Sequence, residues 1–355
     1  MGCLKFLLAP VSACLLFFSC GQPPTAPTGG LVVTDFRPAI LLETPGEKGV
    51  PLRELQPGER LVDLGEVSDF LAQIQVGDSV FQSPWLHVRA AEGAVGWVFG
   101  SAVKPVEGDF GAWFLRKKMD CFFGKPLASQ LPSWANAMGN AQADEAFAEV
   151  FREGLRLRQR LTEALATHRE RNDAAFAPDF FWLNDALPGF IVQMSDDGLR
   201  PNLFADYAHF QALAAKTDGE QDDVFIQTCL AAFPTDSIES DYPVWQIQTD
   251  VSGHCSQLGA GHHLKMLATI GRALRSCPLF EPELLAMKDE LVADMMHHKT
   301  AFWQPKDLIV KELGEILALK YSCLTDRDRL ALTERLRVLG DAEANGVRVN
   351  VRAGG

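Results

Sequence analysis

Between Leu31 and Val106 apolar and polar residues alternate in short runs, and residues with strong turn preference separate the runs. LVVTDF (31–36), AILLE (39–43), ERLVDLGEV (59–67), FLAQIQV (70–76), PWLHVRA (84–90) and AVGWVFG (94–100) read as strands, because period-two alternation places one set of side chains on a buried face. TPGEKG, LQPGE, VGDS and AAEGA between them supply the Gly, Pro and Asp that tight turns need. Such a segment closes most simply as a small barrel, which leaves no sheet edge exposed. Past Gly108 the period lengthens. From Ala143 to Asp173, Val150, Gly154, Leu157, Leu161, Ala164 and His168 recur at helical spacing. Further helices are expected over Leu203–Lys216, Asp222–Phe233, Gly261–Ser276, Glu281–Lys299, Lys306–Cys323 and Thr325–Leu339. GFIVQM (189–194) and VWQIQTDV (244–251) are short strands or buried loops. The fold class expected is therefore multidomain: a small all-β barrel over 31–106, followed by a mainly α-helical domain over 110–345.

The N-terminus has a different pattern. Lys5 is followed by an apolar stretch from Phe6 to Phe18, then Ser19 and Cys20. A spanning helix needs about 20 uninterrupted apolar residues. This stretch is shorter, contains Pro10 and gives way to Gly21, Gln22, Pro23 and Pro24, so residues 1–19 are expected to be an export signal that is cleaved. Phe17-Phe18-Ser19-Cys20 resembles a lipobox, in which a small residue precedes a cysteine that is diacylated and becomes the mature N-terminus. The resemblance implies palmitate-type lipid on Cys20 and a partner in the membrane; Phe17 and Phe18 depart from the common pattern, and ordinary secretion with a free Cys20 is the alternative. N-myristoylation at Gly2 wants Ser or Thr where Phe6 stands. Two lipid signals give stable anchoring, and a diacylated cysteine supplies both. Residues 20–30, with PPTAPTGG, read as a tether. Gly21 stands where Asp would mark inner-membrane retention in enteric bacteria, which points to the bacterial outer membrane, facing the periplasm.

Composition narrows the partners. The chain has 355 residues, 47% of them hydrophobic, enough for two globular cores. A net charge of −13 disfavours nucleic acid and anionic lipid surfaces. Arg152, Arg156, Arg158, Arg160, Arg169 and Arg171 are the best local basic patch, although interleaved acids make a solvated helix face the commoner outcome. Of eight cysteines, five lie in the body: Cys121, Cys229, Cys255, Cys277 and Cys323. Their spacing matches no disulfide scaffold; buried thiols are the default, with a Cys255–Cys277 bridge as the alternative.

Within the β-rich segment, Leu55-x-x-Gly58-Glu59, the strand Arg60–Leu64, Trp85-x-x-Val88 and Gly93-x-x-Gly96-Trp97-Val98 occur in an order and spacing that resemble the bacterial SH3-like (SH3b) family. The resemblance covers about a fifth of the chain. It implies an SH3-like barrel that binds cell-wall peptide or protein segments and performs no chemistry. Gly58 suits a turn, Gly96 a close strand approach and Trp97 a barrel core. Trp85, after Pro84 at a strand start, and Phe99, on the face of Trp97, are the candidate ligand-binding residues, with core packing as their alternative role. The segment before Trp85 is longer than many family members show.

Chemistry is harder to find. Exported SH3-like modules are often fused to peptidases of the NlpC/P60 class, and residues 249–254 resemble that family's Asp-Cys-Ser-Gly turn, but Val251 occupies the nucleophile position and leaves no attacking group. His254, Cys255 and His262 are candidate zinc ligands, crowded with His263 and with His297 and His298 further on, in a spacing that is no known signature. Asp196-Asp197 and Asp222-Asp223 read as solvated acids. No phosphate loop, Gly-x-Ser-x-Gly elbow or His-Glu-x-x-His helix occurs, so neither a cofactor nor a catalytic residue is assigned. The function expected is non-enzymatic recognition, by an anchored envelope lipoprotein, of peptidoglycan or an envelope protein. A cell-wall or periplasmic hydrolase with its active site among the C-terminal helices is the alternative.

Overall fold

The computed structural model describes residues 30–36, 39–46, 48–171, 180, 182–194, 201–234, 242–249, 253–297 and 300–351; the expected signal segment, Cys20 and most of the expected tether lie outside them. Contacts divide the chain near residue 110 into two compact units.

The first unit is a mostly antiparallel sheet of β1 (Gly30–Val33), β2 (Ile40–Leu42), β3 (Pro51–Glu54), β4 (Arg60–Val76), β5 (Ser79–Ala90), β6 (Val95–Phe99) and β7 (Val103–Pro105), in the order β3-β2-β6-β5-β4-β1-β7. FLAQIQV is no separate strand. Nothing between Val67 and Phe70 forces a turn, so β4 runs on for 17 residues until Gly77-Asp78 turns the chain into β5. The closed barrel expected from the sequence does not form, because β3 pairs with β2 and β7 with β1, leaving the ladder open at both ends. The β3 edge begins with Pro51, and its Arg53 is ion-paired with Glu59 and Glu92, features that discourage edge-to-edge pairing. Leu31, Leu41, Leu61, Leu86, Val88 and Val98 fill the interior. Gly58 turns with a φ of +82°, and a Cβ on Gly96 would stand 2.5 Å from the Leu42 carbonyl oxygen, so both glycines have the steric work expected of them.

The second unit is mainly helical. It comprises α1 (Phe110–Ala128, broken at Gly124), α2 (Gln130–Gly139), α3 (Asp144–Arg171), α4 (Leu183–Ala186), the hairpin β8 (Phe190–Met194) and β9 (Pro201–Ala205), and α5 (Tyr207–Ala214) and α6 (Gln221–Ala232). The hairpin β10 (Gln246–Thr249) and β11 (Gly253–Ser256) follows, then α7 (His262–Ser276), α8 (Glu281–Met296), α9 (Lys306–Ala318) and α10 (Asp326–Gly340). The helix expected from Leu203 starts late. Asp206 caps α5 by accepting the His209 N–H, and the residues before it pair with β8. The buried seam of α3 is Phe147, Phe151, Leu157, Leu161 and Leu165; Phe225 of α6 stacks on Phe280 beneath it with centroids 4.3 Å apart. No described helix is long and apolar enough to cross a membrane.

Asp222 corrects the expectation of a solvated acid: it is fully buried in the first turn of α6. The carboxylate of Asp144 accepts the N–H groups of Gln221 and Asp222 and so caps α6 from another helix. Asp222 accepts the Thr217 hydroxyl at 2.8 Å and the Asp223 N–H. Burial and the neighbouring Asp144 push its carboxyl up to about 6, against the pull of the Thr217 bond. A folded-state value above the unfolded one of about 4 means stability that is fully present at low pH and lost as pH rises through about 6. Asp222→Asn keeps an acceptor for the Asp223 N–H and stays neutral. Its stability relative to wild type should therefore rise between pH 4 and pH 7.5; urea titrations of both proteins that differ by a constant across that range would contradict this origin.

Candidate ligand-binding site

Helices α3, α5, α6 and α8 and the β8–β9 hairpin of the helical unit line a cavity of about 480 Å³, within the range of small-molecule sites. α3 contributes Phe151, Leu155 and Arg158, which its spacing of four and three residues sets on one face. α6 adds Phe225, Cys229 and Phe233 at intervals of four, and α8 adds Glu283, Met287 and Glu290. The hairpin supplies Ile191, Gln193 and Phe204, alternate residues pointing to one face, with Ile191 opposite Phe204 in register. Tyr207, at the start of α5, stacks on Phe233 with centroids 5.6 Å apart. The wall is thus aromatic, with polar groups at a few positions.

Those polar groups differ in state. The Tyr207 hydroxyl and Cys229 thiol hydrogen-bond to each other, and burial pushes both up, so both stay protonated at neutral pH. At one end of the cavity Arg152 of α3 donates from Nε to Glu283 at 2.5 Å and from the fork's second nitrogen at 3.0 Å, a bidentate clamp onto α8. Six residues on along α3 and seven along α8 stand Arg158 and Glu290. Arg158 lies about 9 Å beyond Arg152 and Glu290 about 10 Å beyond Glu283, at 1.5 Å per residue. Here the charges do not close: among the described residues neither side chain has a hydrogen bond or ion pair, and both line the cavity. Burial pushes the Glu290 carboxyl up and Arg158 draws it down.

The residues singled out in the sequence lie elsewhere. Trp85 and Phe99 face each other across β5 and β6 with centroids 5.6 Å apart, and are 4% and 2% exposed, so they pack the interior and present no ring to solvent. Trp97, expected in the core, is half-buried and stacks on His87 at 4.8 Å. His254 is exposed while Cys255 is fully buried, since successive residues of β11 point to opposite faces. His262 opens α7, half-buried, and burial pulls its imidazole down against the influence of Glu312. No group of three or more metal-binding side chains occurs among the described residues, and His298 lies outside them. All five body cysteines are free and buried, so Cys255 and Cys277 are not bridged. Of the basic patch, Arg152 binds Glu283, Arg156 binds Glu153, Arg160 donates to Gln130 and Arg158 lines the cavity; the side chains of Arg169 and Arg171 lie outside the described ones.

Next to His262 the sequence hides two buried polar constellations. His263, without exposure, meets Asp294 at 2.9 Å through Nε2, and Gln246 donates to the same carboxylate at 2.9 Å. Glu312 of α9 fills a turn of backbone donors, accepting the N–H groups of Gly259 at 2.5 Å, Gly261 at 2.9 Å and Leu264 at 3.1 Å. No protein-family model, curated protein or solved structure matches the chain.

Proposed function

We propose that the protein is an envelope lipoprotein, held to a bacterial membrane through lipid on Cys20, that recognises its ligand without transforming it. The cavity between α3, the β8–β9 hairpin, α6 and α8 carries this reading. It is of ligand size and aromatic, and the thiol and phenol facing it are held protonated and bonded to each other, which removes them as nucleophiles at neutral pH. The N-terminal sheet is, on this proposal, an opened relative of the SH3-like module that its Gly-Glu turn and Gly-Trp strand resemble, and it contacts peptidoglycan or an envelope protein.

Two experiments test the proposal. In cells, wild type should take up labelled palmitate and sediment with membranes, and Cys20→Ala should lose the label and appear in the soluble fraction. Purified protein should retain envelope material or a small apolar ligand through washing without altering it. Hydrolysis of a cell-wall substrate, with no ligand retained, would replace this reading with that of a hydrolase.

A further inference from the structure

The mismatch between the two ends of the α3–α8 seam goes further than the presence of a cavity. At the Arg152–Glu283 end two opposite charges neutralise each other in a bidentate bond. At the Arg158–Glu290 end two opposite charges line the cavity without a bond between them, beside an aromatic wall. Arg158 is half-buried while Glu290 stands exposed at the mouth of the cavity, so the cost of an unpartnered charge falls mainly on Arg158, and Glu290 offsets it only in part at a distance. A ligand with an anion and a cation a few ångströms apart satisfies both groups at once. A purely anionic ligand would meet repulsion from Glu290, and a purely cationic one repulsion from Arg158. The aromatic rings suit either an aliphatic body or the face-on approach of an organic cation.

We infer that the cavity takes a zwitterionic amphiphile, its anionic group on Arg158, its ammonium group at Glu290 and its apolar body among Phe204, Phe225, Phe233 and Met287. This rests on the proposed binding role of the cavity. Two sources present that chemistry: a single-chain lipid with a zwitterionic headgroup, and an apolar amino acid.

The test uses the soluble Cys20→Ala protein with its full folded chain. Calorimetry compares dodecylphosphocholine below its micelle concentration with dodecyl maltoside, dodecanoate and dodecyltrimethylammonium, which share the chain and differ in charge. Phenylalanine and leucine form the second arm. Dodecylphosphocholine or an amino acid should bind at least about tenfold tighter than the uncharged probe. Arg158→Gln and Glu290→Gln should each weaken that binding by about tenfold, the scale of one charge-assisted hydrogen bond at Arg158 and of one ion pair at Glu290, without changing the affinity for dodecyl maltoside. Competition between phenylalanine and dodecylphosphocholine assigns an amino-acid-like ligand, and dodecylphosphocholine binding alone a lipid-like one; either supports the shared chemistry. Dodecanoate binding tightest, with Glu290→Gln neutral or favourable, overturns the inference and leaves the cavity as a binding site. Ala286→Trp, which fills the rim, separates the two readings: if it changes the affinity of no probe while its circular dichroism stays that of wild type, the binding role of the cavity fails as well.

Discussion

Replacing Asp294 by alanine is expected to cost about 2–5 kcal/mol, at about 1–3 kcal/mol for each of the two side-chain donors left without an acceptor. His263 has no exposure, and among the described residues its Nδ1 already lacks a partner. Its bond to Asp294 is therefore the one polar contact the ring makes there. Without the carboxylate the ring is buried with both nitrogens unsatisfied, and the Gln246 amide loses its acceptor as well. A domain of this kind has about 5–15 kcal/mol in total, so the variant should unfold at much lower urea and show partial aggregation on expression. Asp294→Asn keeps an oxygen for one donor and should lose about half as much. The double change His263→Leu with Asp294→Leu, which removes the imidazole with its acceptor and leaves only the Gln246 amide unpaired, should recover part of the stability. The order wild type, then the double and Asn variants, then Ala in urea midpoint is the signature of a satisfied buried pair; an Asp294→Ala protein within about 1 kcal/mol of wild type would falsify it.

Much of the architecture is legible in the sequence, and what is not legible has a common cause. The change of period at Gly108 separates sheet from helices because period two and period 3.6 are local properties. α6, α7, α8 and α10 fall within a residue or a few of their expected bounds, helped by Pro282 in the first turn of α8 and by the Thr325 capping box of α10. The errors come from tertiary context. β4 continues through FLAQIQV because the 12-residue strand β5, joined to it by the Gly77-Asp78 turn, lies beside it, and β9 replaces the start of a helix because β8 is there to pair with it. Closure of the barrel depends on whether β3 meets a second neighbour, which no local pattern states. The same holds for the site. Arg158 and Glu290 are 132 positions apart, and each alone looks like a solvated helix charge. The one available signal was the repeat of Glu at 283 and 290, which seven residues return to one face of α8; Arg152 and Arg158, six apart, stand about 120° from each other around α3 and gave none. His254, Cys255 and His262 misled for the converse reason: nearness in sequence across a strand and a helix start puts side chains on different faces.

Glu312 shows how a long-range partner decides a local structure, and its replacement by alanine should have the second large effect. Gly259 and Gly261 have φ values of +100° and +86°, which turn successive backbone N–H groups inward as α7 begins, and Gly261 has no side chain with which to cap the helix. The carboxylate of Glu312 accepts three of these donors from α9. It also places negative charge at the positive end of the helix dipole. Alanine would leave three donors without their acceptor at part-buried positions, Gly261 being exposed, so water replaces part of each bond; the net loss should be about 2–3 kcal/mol, or roughly 8 °C in the melting temperature of a unit of this size. Glutamine fits the same space, but its carbonyl oxygen can serve only the Gly259 and Gly261 side, while its NH₂ group faces the N–H of Leu264. Glu312→Gln should therefore fall between wild type and alanine. Hydrogen exchange distinguishes this account from a simple loss of packing: the Gly261 and Leu264 amides should lose protection in Glu312→Ala well before those in the middle of α7, and uniform loss along the helix would assign Glu312 a packing role alone.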